Sequence, residues 1–207
     1  MGKIRYLIID ARYKKVRHGG HVIDNAGLIA HGIDDEGRKR ILGVWVSLSE
    51  SEVHWRAFFK SLVQRDLHRL ELIIYAHSGL KAAKKTVFPS APWQRCQFHL
   101  QQNAQSYVPK QCMKKEVASN IKVIFTASNL NEAKRLLLLN IEKYKTKDPR
   151  LSEWMEANLP EGFTVFNFPP KHWIKLKTSN LAERVNKEIK RRTKIVGIFL
   201  IVTPVSV

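Results

Sequence analysis

The sequence predicts an α/β chain, and three observations predict it. Apolar runs separated by turn signals crowd the first third, amphipathic helices then alternate with one more apolar run, and from about Leu100 only helical periodicity remains. Ile4 to Asp10 is the first short apolar run, His21 to Ile33 a second extended stretch and Ile41 to Leu48 a third. Gly19-Gly20 and Asp34-Asp35-Glu36-Gly37 stand between them, which describes an antiparallel meander.

Ser49 with Glu52 three residues on reads as a capping box. Val53, Phe58, Phe59, Leu62 and Val63 follow at helical spacing, so a helix is expected to about Asp66. Leu70 to Tyr75 is the next buried strand, and Ser78-Gly79 opens a helix through Val87 that Pro89 stops. The order is β-β-β-α-β-α. Helices are then expected over Val117 to Phe125 and Leu130 to Tyr144, with Lys and Arg on their outer faces, as in an all-helical insertion. Phe168-Pro169-Pro170 reads as a connector, and a last helix spans roughly Ser179 to Thr193.

The chain of 207 residues is 44% apolar, enough for one large or two small globular domains and too apolar for overall disorder. Its 36 basic against 18 acidic residues leave +18, which calls for a polyanion: nucleic acid first, an anionic membrane surface second. Residues 76–150 hold 14 basic against 4 acidic residues, so the middle third carries most of the excess. Two cysteines, Cys96 and Cys112, exclude a disulfide scaffold and suit a reducing compartment. The apolar stretch Tyr6 to Ile9 is too short for a signal-peptide core, and Ile195 to Val207 is too short and too interrupted to span a bilayer. Membrane is therefore the lesser expectation.

Asp10 closes the first apolar run and is followed by Arg12, Lys14, Lys15 and Arg17. A carboxylate at a strand tip can hold a divalent metal while neighbouring cations hold phosphates, although a turn aspartate capping the strand is the competing reading. In the last helix Glu183 shares a face with Lys187, Lys190 and Lys194, opposite Leu181, Val185 and Ile189. That face is either a solvated Glu–Lys surface or a metal ligand beside a cationic rail. Helical geometry alone leaves the choice between Glu183 and Glu188 open. Cys96 and His99 form a Cys-x-x-His pair without a second pair to complete a zinc site. Trp93 reads as core or as a base-stacking platform.

Four ordered segments together resemble the catalytic domain of bacterial mutator-type insertion-sequence transposases. They are Asp10-Ala11-Arg12-Tyr13-Lys14-Lys15-Val16-Arg17, Ala76 through Ala83, Trp93-Gln94-Arg95-Cys96-Gln97-Phe98-His99, and Ser179-Asn180 through Arg192. The resemblance implies a ribonuclease-H-like mixed sheet with an all-helical insertion before the last catalytic helix. It divides the chain into a first part of the core at 1–99, an insertion at 100–170, the final catalytic helix at 171–199 and an aberrant tail at 200–207.

It further implies an Asp-Asp-Glu triad holding two Mg2+ ions, with Asp10 the first aspartate and Glu183 the glutamate. The expected second aspartate is Tyr75 here, a neutral phenol with pKa near ~10 and a poor magnesium ligand. Catalysis is therefore expected to be impaired. By the same resemblance Arg12, Lys14, Lys15, Arg17, Lys187, Lys190, Arg191 and Lys194 would meet DNA. Trp93, Cys96, His99, Asn180 and Arg184 would be family signature residues, Cys96 and His99 supporting the fold.

Asp24, Asp34 and Asp35 are the carboxylates that could replace the lost ligand. Met1 stands nine residues before Asp10, so the family's upstream DNA-binding region is expected to be missing. Leu200-Ile201-Val202-Thr203-Pro204 resembles a frameshift tail without a packing partner. The implied partners are insertion-sequence DNA and a second copy or an intact transposase, in the bacterial cytoplasm at the nucleoid. A basic DNA-binding module without catalysis and a nuclease of the same fold are the alternatives.

Overall fold

In a computed structural model, strand β1 (Ile4–His18) organises the first part of the chain. The structure describes residues 3–18, 21–75, 79–108, 111–177, 187–188, 191 and 199–200. β1 pairs antiparallel with β2 (His21–Asp34), from Ile4 opposite Asp34 to His18 opposite His21, and β2 pairs antiparallel with β3 (Lys39–Ser47). The meander is present, but β1 does not stop at Asp10. Tyr13 and Val16 favour extended backbone, and the cations between them are long enough to reach solvent, so the ribbon continues to His18.

Helix α1 (Glu52–Gln64) starts from Ser51 rather than Ser49, and Ser51 makes no side-chain cap bond. Trp55, Phe58, Phe59 and Leu62 form its buried stripe. Val53, expected in the core, is 60% exposed, because helical geometry puts it on the side of α1 opposite Leu62. The helix closes where the Leu67 N–H donates to the Leu62 carbonyl and Asp66 takes a left-handed φ of 70°, a conformation aspartate tolerates.

β4 (Leu72–Tyr75) then runs parallel to β1, with Tyr6, Leu7 and Ile8 beside Leu72, Ile73 and Ile74. Arg5 and Glu71 pin that register: the Glu71 N–H donates to the Arg5 carbonyl at 2.8 Å. The Arg5 guanidinium also grips both Glu71 carboxylate oxygens, at 2.7 and 2.8 Å. Helix α2 (Gly79–Val87) lies against α1, where Phe59 meets Phe88 edge-on at 5.4 Å.

Two compact units divide the chain, one of residues 1–92 with 180–207 and one of 93–179. In the second, β5 (Trp93–Arg95) leads into α3 (Gln97–Ala104), α4 (Gln111–Phe125), α5 (Leu130–Lys145), α6 (Pro149–Asn158) and α7 (Pro170–Lys177). α4 begins six residues before the expected Val117. Phe168-Pro169-Pro170 is not merely a connector, because Pro170 is the first residue of α7, a position where its missing N–H costs nothing. Asn129 and Asp148 cap α5 and α6 by accepting from the Glu132 and Leu151 N–H groups.

Leu100, Val117, Ile121, Phe125, Tyr144 and Met155 are among the residues that fill this unit's core. In the first unit, the backbone of β6 (Phe199–Leu200) pairs parallel with Val16 and Arg17 of β1. Among the described residues no helix is long and apolar enough to cross a membrane.

Gly162 shows how tightly the second core closes. A Cβ built there would stand 2.8 Å from Phe125 and 3.0 Å from Leu100, two buried side chains. Gly162→Ala is expected to cost about 1–3 kcal/mol of stability. Thermal denaturation beside the unmodified protein checks it, and an unchanged midpoint would show that the core yields there.

Candidate active site

Side chains alternate across a strand, so pairing register decides which residues can meet. Asp10 pairs with Ile29 on β2, and Ile29 with Val44 on β3, so these three share one face of the sheet. Arg12 and Lys14, two and four residues on, lie on that face. Lys15 and Arg17 lie on the other. The four cations taken together as one DNA-facing cluster are thus split between two surfaces. Asp10 itself is partly exposed.

Tyr75 is the last residue of β4 and is 2% exposed. One step past the Ile8–Ile74 pair, it is level with Ile9, on the face that holds Leu7, Ile9 and Ile73. This is the face α1 covers: a Cβ on Gly43 would lie 3.2 Å from Phe58, and Trp45 packs on the same ring at 6.1 Å. The Tyr75 ring is therefore a buried part of the helix-covered layer, on the side of the sheet away from Asp10. Burial at this strand end suits an aromatic ring and opposes a carboxylate.

The other carboxylates do not stand in for it. Asp34 is opposite Ile4, six residues before Asp10, or roughly 20 Å along the strand. Asp24 is opposite Lys15, five residues after it, or roughly 17 Å. Burial of Asp34 opposes ionisation. The Arg38 N–H and guanidinium bonded to that carboxylate, with Arg38 and Arg40 as neighbouring charges, outweigh the burial and hold its carboxyl below the usual range. Asp35 is 3.0 Å from Lys3.

Among the described residues no group of three or more His, Cys, Asp or Glu side chains could hold a metal ion. Among the described residues the donors at these two positions, one carboxylate and a neutral phenol on the opposite layer, do not by themselves make a two-magnesium centre. Glu183, Asn180, Arg184, Lys190 and Lys194 lie outside the described residues. Lys187 is helical and exposed. Arg191 is helical too, but its guanidinium is held by Glu188 at 2.7 and 2.9 Å, which raises its pKa.

The Trp93–His99 segment has a different job inside the second unit. Buried Gln94 donates to the Leu176 carbonyl at 3.3 Å and accepts from the Val165 N–H at 2.6 Å, while Gln97 donates to the Gly162 carbonyl at 2.8 Å. Arg95 reaches Asn158 at 2.8 Å and Glu161 at 3.3 Å, and the Trp93 carbonyl accepts from Thr164. Cys96 is buried at the start of α3, with His99 one turn on. Trp93 is half-buried in β5 rather than presented as an open platform. The sequence reading missed the two glutamines, although amide side chains interleaved with apolar residues beside a strand-to-helix turn are a signal of buried backbone ties.

It also missed His31. Its ring is fully buried on Asp10's face, diagonal to Asp10 across β1 and β2, and among the described residues neither nitrogen has a hydrogen-bond partner. Its one signal was a lone imidazole in the apolar run Ile29-Ala30-His31-Gly32-Ile33. The middle-third charge is also less available than its sum suggests. Arg135, Lys143 and Lys145 are paired with Glu132, Glu116 and Glu142.

The family model "Transposase, Mutator family" matches residues 2–201. The transposase for insertion sequence element IS406 of Burkholderia multivorans is 48% identical over 96% of this chain and 52% of its own length. That for ISRM5 of Rhizobium meliloti is 40% identical over 94% and 49%. The transposase for IS256 in transposon Tn4001 of Staphylococcus aureus is 35% identical over 94% and 50%. The chain thus spans about half the length of these curated relatives. A chain of the simian T-cell lymphotropic virus intasome in complex with PP2A regulatory subunit B56 gamma aligns over 76% of this one at TM-score 0.28 and 11% identity, and it carries no weight here.

Burial, then the nearby Lys39 charge, lowers the His31 pKa from 6.5 to about 4. The unfolded chain therefore binds a proton that the folded chain refuses. Stability is complete above pH 6.5 and falls as pH drops towards 4, by roughly 3 kcal/mol for this group. His31→Phe should flatten that part of the stability-against-pH curve in urea titrations. A wild-type curve level between pH 7 and 4.5 would refute the assignment.

Proposed function

This chain belongs to the Mutator family of transposases, and we propose that it keeps the family's DNA-engaging core while its phosphodiester chemistry is impaired at Tyr75. The observation that carries the reading is Tyr75 itself, a buried neutral ring closing the strand next to the one that bears Asp10. On this reading the mixed sheet is a ribonuclease-H-like core made by residues 1–99 and the 171–199 helix around a 100–170 insertion. Asp10 and Glu183 are then the remaining members of an Asp-Asp-Glu set that would cleave and transfer insertion-sequence DNA with magnesium.

The residues on Asp10's face do the DNA work. Arg12 and Lys14 follow Asp10 at about 7 and 13 Å along the strand, so phosphates bound to them would run a DNA backbone past the carboxylate. Asp10 would accept hydrogen bonds there and repel phosphates that stray from the cationic positions. With Tyr75 turned into the helix-covered layer, no group of three or more metal-ligating side chains forms among the described residues to supply the second negative charge. The protein then acts as a DNA-binding member of the family, at the nucleoid, alone or beside an active copy.

A magnesium-dependent cleavage and strand-transfer assay on insertion-sequence ends, run for the unmodified chain and Asp10→Asn, tests this. Both are expected at background, and robust cleavage by the unmodified chain overturns the impairment. Tyr75→Asp places a carboxylate in a buried position, so a lowered melting midpoint is expected for it. In duplex binding, Arg12→Ala and Lys14→Ala should each flatten the slope of log K against log salt by roughly 0.9. Unchanged slopes would remove Asp10's face from the interface.

A further inference from the structure

The opposite face of the β1–β2 ribbon carries a second pattern. Tyr13, Lys15 and Arg17 alternate along β1 and so project to the same side, away from Asp10, Arg12 and Lys14. Tyr13 is 50% exposed and both cations are exposed. Opposite them on β2 stand Ala26, Asp24 and Val22, respectively. Ala26 is a small buried residue, Val22 is exposed, and Asp24 is the one carboxylate. Among the described residues neither Lys15 nor Arg17 is drawn into an ion pair. Along β1 one aromatic ring and two cations thus follow one another at about 7 Å spacing, with the backbone of β6 paired beside Val16 and Arg17.

A tyrosine favours extended backbone wherever it sits, so the ring alone would mean little. Its company gives it meaning. Duplex DNA keeps its bases stacked on one another and offers a lone ring nothing to stack on. A single strand offers free base faces, with phosphates repeating beside them. A ring followed by cations at consecutive same-side positions matches the single strand in both respects, and the net positive charge of the face matches its phosphates.

We propose that the Tyr13–Lys15–Arg17 face is a binding site for single-stranded DNA, with a base stacked on Tyr13 and successive phosphates on Lys15 and Arg17. It shares with the proposed function the premise that the partner is DNA. It uses the other face of the sheet and depends neither on Asp10 nor on Tyr75.

Fluorescence anisotropy with labelled oligo-dT and with a labelled duplex tests it on the full chain. Tyr13→Ala should weaken oligo-dT binding about tenfold or more and leave duplex binding within about twofold, whereas Tyr13→Phe, which keeps the ring, should bind as the unmodified protein does. Lys15→Ala and Arg17→Ala should each reduce the single-strand salt slope by roughly 0.7. Circular dichroism melts confirm that each variant folds. Wild-type oligo-dT affinity in folded Tyr13→Ala overturns the proposal, as does an equal loss on single strand and duplex. Failure of the cleavage predictions leaves it standing, and loss of oligo-dT binding in Arg12→Ala/Lys14→Ala equal to that in Tyr13→Ala would assign the single strand to the wrong face.

Discussion

The parity of β1 is the constraint on which the first unit depends. A strand offers each side chain one of two sides, and a shift of one residue exchanges every side chain between them. Here the choice is held from both edges: by the long antiparallel pairing with β2, and by the Arg5–Glu71 tie that sets β4 beside β1. Once that register is set, Asp10, Arg12 and Lys14 share one side. Leu7, Ile9 and Tyr13 share the other, and Tyr75 follows the second group. A slip of one residue would carry Asp10 into the layer of Trp55 and Phe58 and turn Ile9 out in its place.

How much was legible follows from the same physics. The three antiparallel strands, the buried β4 and the amphipathic helices up to Tyr144 announce themselves through apolar period and are present, whereas the helix expected over roughly Ser179 to Thr193 lies almost wholly outside the described residues. β1 beyond Asp10 was not legible, because Arg12, Lys14, Lys15 and Arg17 hide the period in a ribbon where charge is tolerated on both sides. α7 was hidden by two prolines that mark a start as readily as a stop. Asp10 and Tyr75 could be named from sequence motifs. That they belong to opposite layers could not, since it rests on pairing between segments sixty-six residues apart.

The second unit illustrates a polar counterpart. Short irregular segments near Gly162 and Val165 have backbone groups that no sheet or long helix satisfies, and burying them unpaired would cost about 1–3 kcal/mol each. Gln94 and Gln97 supply the partners, one amide spanning two segments and the other reaching the glycine whose missing side chain admits Phe125. The Trp93–His99 stretch therefore ties together the segments of its own unit. Its cysteine and histidine draw attention in a sequence, while the glutamines between and beside them carry the bonds.

Position 75 separates folding from chemistry in this fold. A carboxylate at a buried strand end is sustained only by a cation or a metal, and it destabilises the fold when that partner is missing. An aromatic ring needs neither and fills the layer between sheet and helices. On the proposed reading, in which Tyr75 stands where the family has its second carboxylate, the ring would avoid that burial cost while lacking the charge that metal-dependent catalysis needs. The cations of β1 are indifferent to the exchange: they stand beyond Asp10, on a ribbon whose pairing with β2 does not involve β4. On the proposed reading polyanion binding would outlast catalysis, because Tyr75 closes β4 while the cations stand on β1.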